Sequence, residues 1–355
     1  MDKIEALVAL FACLVFAITP GEAFVPILHK GITRGCFLQI SEERGCITNL
    51  NAAAIEFDGS LDVERTYTLT DEETDGVAET TTSTHQIKYN IHNRMNLSSQ
   101  QAAPILVLHG GPGVPSDYLL PLKDVVPYRS IVFYDQLGCG RSPGPEYKDA
   151  YNIESSLDDL EALVKKVGLR SFHLYGQSFG GILAFEYLKR IAERNVDDNG
   201  DSRCLSVVLS SSPCDVEQVE TVAGSLIEEL MAKDDDESTI MERFRISHQC
   251  QSEERPKALS DAYAHAGHPG VWRGTDSIKG WKAIKPKEGS QRMPSCMVMR
   301  GEHDFVTSEC VEGWREAFNH KFVRMKVLDG CSHHGLLENR LKYGDIVDSF
   351  FSEYD

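Results

Sequence analysis

The chain has 355 residues, of which 41% are hydrophobic and 25% charged, and 36 basic against 54 acidic side chains leave a net charge of −18. That much apolar material builds a sizeable core, which excludes a disordered, collagen-like or coiled-coil chain, while the acidity opposes generic binding to nucleic acid or anionic lipid. Ten widely spaced cysteines include no Cys-x-x-Cys pair for zinc or redox work, and several sit inside apolar runs where a reduced thiol packs as a small hydrophobe.

At the N-terminus, Ala6 to Ile18 form an apolar run too short to span a bilayer as a helix. Pro20-Gly21-Glu22-Ala23 follows, with small residues at the −3 and −1 positions of a cut after Ala23. This layout predicts a signal peptide over 1–23. Glu22-Ala-Phe-Val-Pro26 resembles the Ala-Phe-x-Pro cleavage motif of bipartite plastid presequences, and the acid-poor stretch 24–51 reads as a transit or disordered segment. The expectation is entry into the secretory pathway, ending in a plastid or outside the cell. If this segment is not a signal, the alternative is cytoplasmic. A mature chain lacking residues 1–51 keeps seven cysteines, an odd number that fits reduced thiols. The sequon Asn96-Leu97-Ser98 fits the secreted alternative.

After residue 51 the pattern turns regular. Ile55–Leu69 and His85–His92 read as a strand pair, with the polar Asp71–Ser83 as its turn. Short apolar strands are predicted at Pro104–His109, Ser130–Tyr134, Ser171–Tyr175, Cys204–Leu209, Cys296–Arg300 and Phe322–Leu328. Helical spacing lies between and after them, at Ile153–Val167, Phe179–Glu193, Cys310–Phe318 and Leu341–Phe351. Continuous apolar strands alternating with amphipathic helices predict an α/β class with a mostly parallel sheet covered on both faces. Residues 214–291 contain no strand-like run; Val216–Met231 and Ser238–His248 are helical there, so the segment reads as a helical cap inserted between core parts 52–213 and 292–355. Asp197–Asp201 has metal-like residue types without calcium-loop spacing and reads as a solvated turn.

Gly176-Gln-Ser178-Phe-Gly180 follows an apolar strand and opens a helix, which is the strand–turn–helix setting that thrusts a nucleophilic serine out at a strand end. A serine hydroxyl needs a base, and the base needs an orienting carboxylate. Asp304 follows the strand ending at Arg300, and His333 and His334 follow the strand ending at Leu328, which is the chain order Ser, acid, His. The residues alone leave the two histidines competing for one role. Phe179 N–H and an amide of His109-Gly-Gly-Pro-Gly113, best Gly111, are the candidate oxyanion donors, and Gly110 and Gln177 are adjoining substrate-binding candidates. No Gly-Lys-Ser/Thr follows that glycine loop, so it is not a phosphate cradle. No cofactor and no metal are called for.

His109-Gly-Gly-Pro-Gly113 and Tyr134-Asp-Gln-Leu-Gly-Cys-Gly-Arg-Ser142, with Gly176-Gln-Ser-Phe-Gly-Gly181, Gly301-Glu-His-Asp304 and Cys331-Ser-His333, resemble the proline iminopeptidase family of α/β-hydrolases, tricorn-associated aminopeptidases included. The resemblance spans roughly 52–352. It implies the α/β-hydrolase fold with a helical cap, places the histidine role on His333, and implies release of an N-terminal residue, often proline, from short peptides. Phe244-x-x-x-His248-x-Cys250 is similar to a family segment in the cap. Many relatives have a cap stretch resembling Gly-Pro-Asn-Glu where this chain reads Gly267-His-Pro-Gly270, so the glutamate that would pair the substrate amine is missing, and Glu242 or Asp276 becomes its candidate replacement. The expected partner is a short peptide or small amide or ester. Esterase, amidase or lactonase activity in the same fold, and a non-catalytic ligand-binding protein, are the alternatives.

Overall fold

The structure, a computed structural model, describes residues 59–69, 79–97, 102–194, 202–234, 236–266, 275–318 and 322–355. The presequence readings over 1–23 and 24–51, the Asp197–Asp201 turn, the Gly267–Gly270 stretch, the Asp276 side chain and Ser98 of the sequon lie outside these residues.

Eight strands form one sheet: β1 Gly59–Leu69, β2 Glu79–His92, β3 Ile105–Leu108, β4 Ile131–Tyr134, β5 Ser171–Gln177, β6 Arg203–Ser210, β7 Ser295–Gly301 and β8 Val323–Leu328. Their spatial order is β1-β2-β4-β3-β5-β6-β7-β8, with β1 and β2 antiparallel to their neighbours and every later pairing parallel. The helices are α1 Leu122–Val125, α2 Ile153–Val167, α3 Phe179–Glu193, α4 Val216–Lys233, α5 Ile240–Phe244, α6 Lys257–Ala266, α7 Ser308–Glu312, α8 Trp314–Phe318, α9 Gly335–Glu338 and α10 Arg340–Ser352.

The run of apolar residues in the inner strands follows from burial on both faces. Leu106, Leu108, Val132, Tyr134 and Leu174 join the core with Leu157, Leu160 and Leu163 of α2. The alternate positions Ile105, Val107, Ile131, Phe133 and Tyr175 pack with Tyr343, Val347 and Phe351 of α10. α2 carries its own boundary signals: the Asn152 side chain accepts from Ser155 N–H at the start, and Gly168 closes the end at φ 78°.

Three element readings need correction. β2 begins at Glu79, inside the stretch read as a turn, because its threonines pair across the ladder, Thr66 with Thr82 and Thr68 with Thr80; β-branched threonine fits a pleated surface despite its polarity. The predicted helix Cys310–Phe318 is two helices broken at Gly313, which approaches Cys214 so closely that a Cβ there would lie 2.8 Å from its Sγ. Ser238–His248 is α5 followed by a π-helical turn, Arg245–Gln249. Between β6 and β7 the chain also forms α6, which the sequence reading did not name, and α6 packs against the 3-10 turn Ser116–Leu119.

The C-terminal residue anchors α10 to the sheet. Asp355 accepts from Arg129 at 2.7 and 2.8 Å and from Ala103 N–H at 2.9 Å, and it lies 3.1 Å from His173 on β5. Burial pushes His173 down to about 4 from its ordinary 6.5, with the Arg129 charge adding to the effect and Asp355 opposing it. Asp355, although partly desolvated, is held at about 2 by Arg129, Ala103 N–H and His173. Both folded values lie below the unfolded ones, so the unfolded chain takes up protons first as pH falls. Stability is therefore expected to fall between pH 6.5 and 4 through His173, by up to about 3 kcal/mol, and again below pH 4 through Asp355. Urea midpoints at pH 7 and 4.5 check this: His173→Asn should flatten the first fall, and an unchanged slope would remove His173 as its source.

Candidate active site

β5 ends at Gln177 and α3 begins at Phe179, which leaves Ser178 alone at the turn with φ 54° and ψ −121°. Such a backbone conformation costs a non-glycine residue about 1–3 kcal/mol and persists only where its surroundings over-determine it. Here the Ser178 N–H donates to Ser210 O on β6 at 2.8 Å. α3 also starts close against β3: a Cβ on Gly180 would lie 2.1 Å from Leu108 O, so only glycine fits. The serine is thereby set at the carboxyl ends of the parallel strands, next to a helix N-terminus that favours negative charge.

Asp304 lies just beyond β7 and His333 just beyond β8. His333 Nδ1 and Asp304 Oδ1 are 2.9 Å apart, and the same oxygen accepts the Val306 N–H at 2.9 Å. Both side chains are buried, and Phe305 stacks on the imidazole with ring centroids 4.3 Å apart. With Nδ1 donating to the carboxylate, Nε2 is left to accept a proton. His333 O accepts from Ser211 Oγ at 3.2 Å and from Gln177 Nε2 at 3.3 Å. The π-helical turn also ties to this loop, since His333 N–H donates to His248 O and His334 N–H to Gln249 O. His334 has no carboxylate partner among the described residues. Burial, neighbouring His333 and Arg255 push its pKa well below the ordinary value, so it stays neutral. The geometry thus separates the two histidines that the residues alone left competing: the carboxylate meets His333.

The glycine loop after β3 is clamped peptide by peptide. His109 is fully buried, and its Nε2 accepts the Gln136 N–H at 2.9 Å. A backbone N–H can only donate, so the ring proton sits on Nδ1, which faces Gly110 O at 3.0 Å. Burial lowers the pKa of this ring and keeps it neutral. Gln136 Nε2 in turn donates to His109 O at 2.8 Å. In a trans peptide the C=O and N–H point opposite ways. Gly110 O turns to the His109 ring, so Gly111 N–H points to the other side, where it has no hydrogen-bond partner among the described residues. Gly111 itself adopts φ 111°, which disfavours any side chain. Beneath the loop, Asp135 accepts from Ser116 N–H and Oγ and from Arg141 N–H and guanidinium, at 2.8 to 3.2 Å.

Gly111, Gln177, Ser178 and His333 line one cavity, together with Gln249 and Tyr263 from the segment between β6 and β7. Among the described residues no acidic side chain lines it. Glu242 is not brought there: it is more than half exposed and bonded to Arg245 at 2.6 and 2.9 Å. Among the described residues no group of three or more His, Cys, Asp or Glu is placed to hold a metal ion, and no helix is long and apolar enough to cross a membrane. The sequence reading gave roles to Gly110 and Gly111 of His109–Gly113 and to no residue of Tyr134–Ser142. His109 and Gln136 lie inside those motifs, and their roles become visible only when the two loops meet.

A hydroxyl at a strained turn, a buried carboxylate–imidazole pair and an outward-facing amide can together run nucleophilic acyl transfer. A family model described as alpha/beta hydrolase fold matches residues 103–340. A proline iminopeptidase of Thermoplasma volcanium is 27% identical over 74% of this chain and 93% of its own length. One of Saccharolobus solfataricus is 28% identical over 70% of this chain and 84% of its own. The crystal structure of a Mycobacterium smegmatis proline iminopeptidase superposes with a TM-score of 0.63 at 22% identity, covering 82% of this chain and 98% of that one.

Proposed function

Since the chain belongs to the alpha/beta hydrolase fold family and is a hydrolase similar to proline iminopeptidases over most of its length, we propose that it removes an N-terminal residue, with a proline-type preference, from short peptides through an acyl-enzyme on Ser178. The Asp304–His333 pair, its imidazole lining the same cavity as the strained Ser178 turn, is the observation that carries this reading. Ser178 Oγ attacks the scissile carbonyl carbon and its proton passes to His333 Nε2. Asp304 holds the imidazole and stabilises the imidazolium that forms. Gly111 and Phe179 amides take the oxyanion. As the C–N bond breaks, His333 returns the proton to the leaving amine. A water then attacks the acyl carbonyl by the same route and frees the residue and Ser178.

The relatives' activity supports the aminopeptidase specificity. One observation favours a second reading, an esterase, amidase or lactonase: among the described residues the cavity lining offers no carboxylate to pair a substrate ammonium, and a buried unpaired charge is strongly disfavoured. Comparing a prolyl arylamide with its N-acetylated form separates the two. The free amine is expected to be cleaved with a kcat/KM at least about tenfold higher, one-tenth being about 1.4 kcal/mol of lost recognition. Equal efficiency on the blocked substrate would move the chain to the second reading.

A further inference from the structure

The glycine loop after β3, the turn at Ser178 and the loop at His333 come from three different strand ends, and one phenol joins them. Tyr118, on the 3-10 turn Ser116–Leu119, is buried. Gly110 N–H donates to its hydroxyl at 2.8 Å, and the hydroxyl lies 2.8 Å from Gln177 Oε1. Gln177 Nε2 then donates to His333 O at 3.3 Å. Direction is set at every link. The Gly110 amide can only donate and the His333 carbonyl can only accept, so the phenol proton goes to Oε1 and the amide NH₂ faces the histidine loop. There is no slack at the junction: a Cβ on Gly110 would sit 2.8 Å from Gln177 Oε1 and 3.0 Å from the Tyr118 oxygen.

We infer that Tyr118, acting through Gln177, is a positioning residue that holds the Gly111 amide and the His333 loop in register with Ser178. The inference rests on Ser178 as nucleophile but not on any substrate preference. Gln136 and the His109 ring grip two carbonyls of the glycine loop, while Tyr118 alone grips the Gly110 N–H. Without it the His109–Gly110 peptide, one before the peptide that carries the Gly111 N–H, keeps only its bond to Gln136, and the donor shifts from the position where charge develops. Burial pushes the phenol pKa well above the ordinary value, so the hydroxyl remains a donor at any working pH. Ser116 and Asp117, beside Tyr118, are pinned in turn by Asp135 and Arg141, which makes the phenol a fixed point.

Tyr118→Phe removes one oxygen from a packed ring and tests this with p-nitrophenyl acetate and a fluorophosphonate, both indifferent to peptide specificity. The expected result is a fall in kcat of about 10- to 100-fold, with KM held within about threefold and the labelling rate falling in parallel. Gln177→Met should show the same split, and the double variant should lose less than the product of the single losses, because both act on one link. Wild-type kcat in a folded Tyr118→Phe protein, a change confined to KM, or fully multiplicative losses would each overturn the inference. A parent protein left unlabelled would overturn the nucleophile assignment, and this inference with it, while leaving the arylamide comparison as a separate question.

Discussion

Ser178→Ala is expected to lose turnover by about ten-thousand-fold to a million-fold and to abolish fluorophosphonate labelling. In the proposed mechanism the hydroxyl is the group that forms the acyl bond, and no other described residue lining the cavity beside His333 is a comparable nucleophile. The fold should survive, because alanine keeps the Cβ, the N–H bond to Ser210 O and the φ of 54°. Its urea midpoint should therefore match that of the parent. Ser178→Gly sharpens the test. It should be equally inactive yet more stable by about 1 kcal/mol, since the strain of the turn is relieved and only partly offset by the entropy of a glycine. Full turnover in purified Ser178→Ala protein would remove this residue as nucleophile. A less stable Ser178→Gly protein would show that the turn holds no strain.

Asp304→Asn is expected to lower kcat by about 10³- to 10⁴-fold with little change in KM. One carboxylate oxygen serves both His333 Nδ1 and the Val306 N–H. An asparagine that keeps its oxygen there preserves both bonds but leaves the imidazolium without a negative partner at a buried site. An asparagine that presents its NH₂ instead turns Nδ1 into an acceptor, which moves the ring proton to Nε2 and blocks that nitrogen as a base. Both arrangements lose the proton transfer, so the loss does not depend on which one forms. Steady-state rates with an unchanged urea midpoint check it. Full activity in Asp304→Asn, combined with loss in His334→Ala, would transfer the base role to the neighbouring histidine.

Much of this molecule was legible in order along the chain. The inner strands announced themselves because both of their faces are buried, and α2 and α3 were read to their observed ends because caps and the Ser178 turn bound them. The Gly-x-Ser-x-Gly turn was equally local, since close backbone approach at Gly180 admits one residue type. Threonine-rich β2 escaped that logic. Its pairing partner, and not its polarity, decides its conformation.

The site itself divides the same way. Local sterics and periodicity act over a few residues, so the sequence by itself determined the alternating α/β order, the Ser178 turn and the candidates Ser178 and Asp304, with His333 and His334 left side by side. Long-range contact decided the rest. Only the meeting of two loops at neighbouring strand ends gave Asp304 to His333, 29 residues on, and not to His334. Only the approach of loops 27 and 59 residues apart turned His109, Gln136, Tyr118 and Gln177 into one hydrogen-bonded frame for the Gly111 amide. The bond of Glu242 to Arg245 is a local i,i+3 contact, but only the tertiary structure left Glu242 out of the cavity lining. Which strand ends and loops meet is set by which surfaces pack together, and no spacing along the chain encodes that.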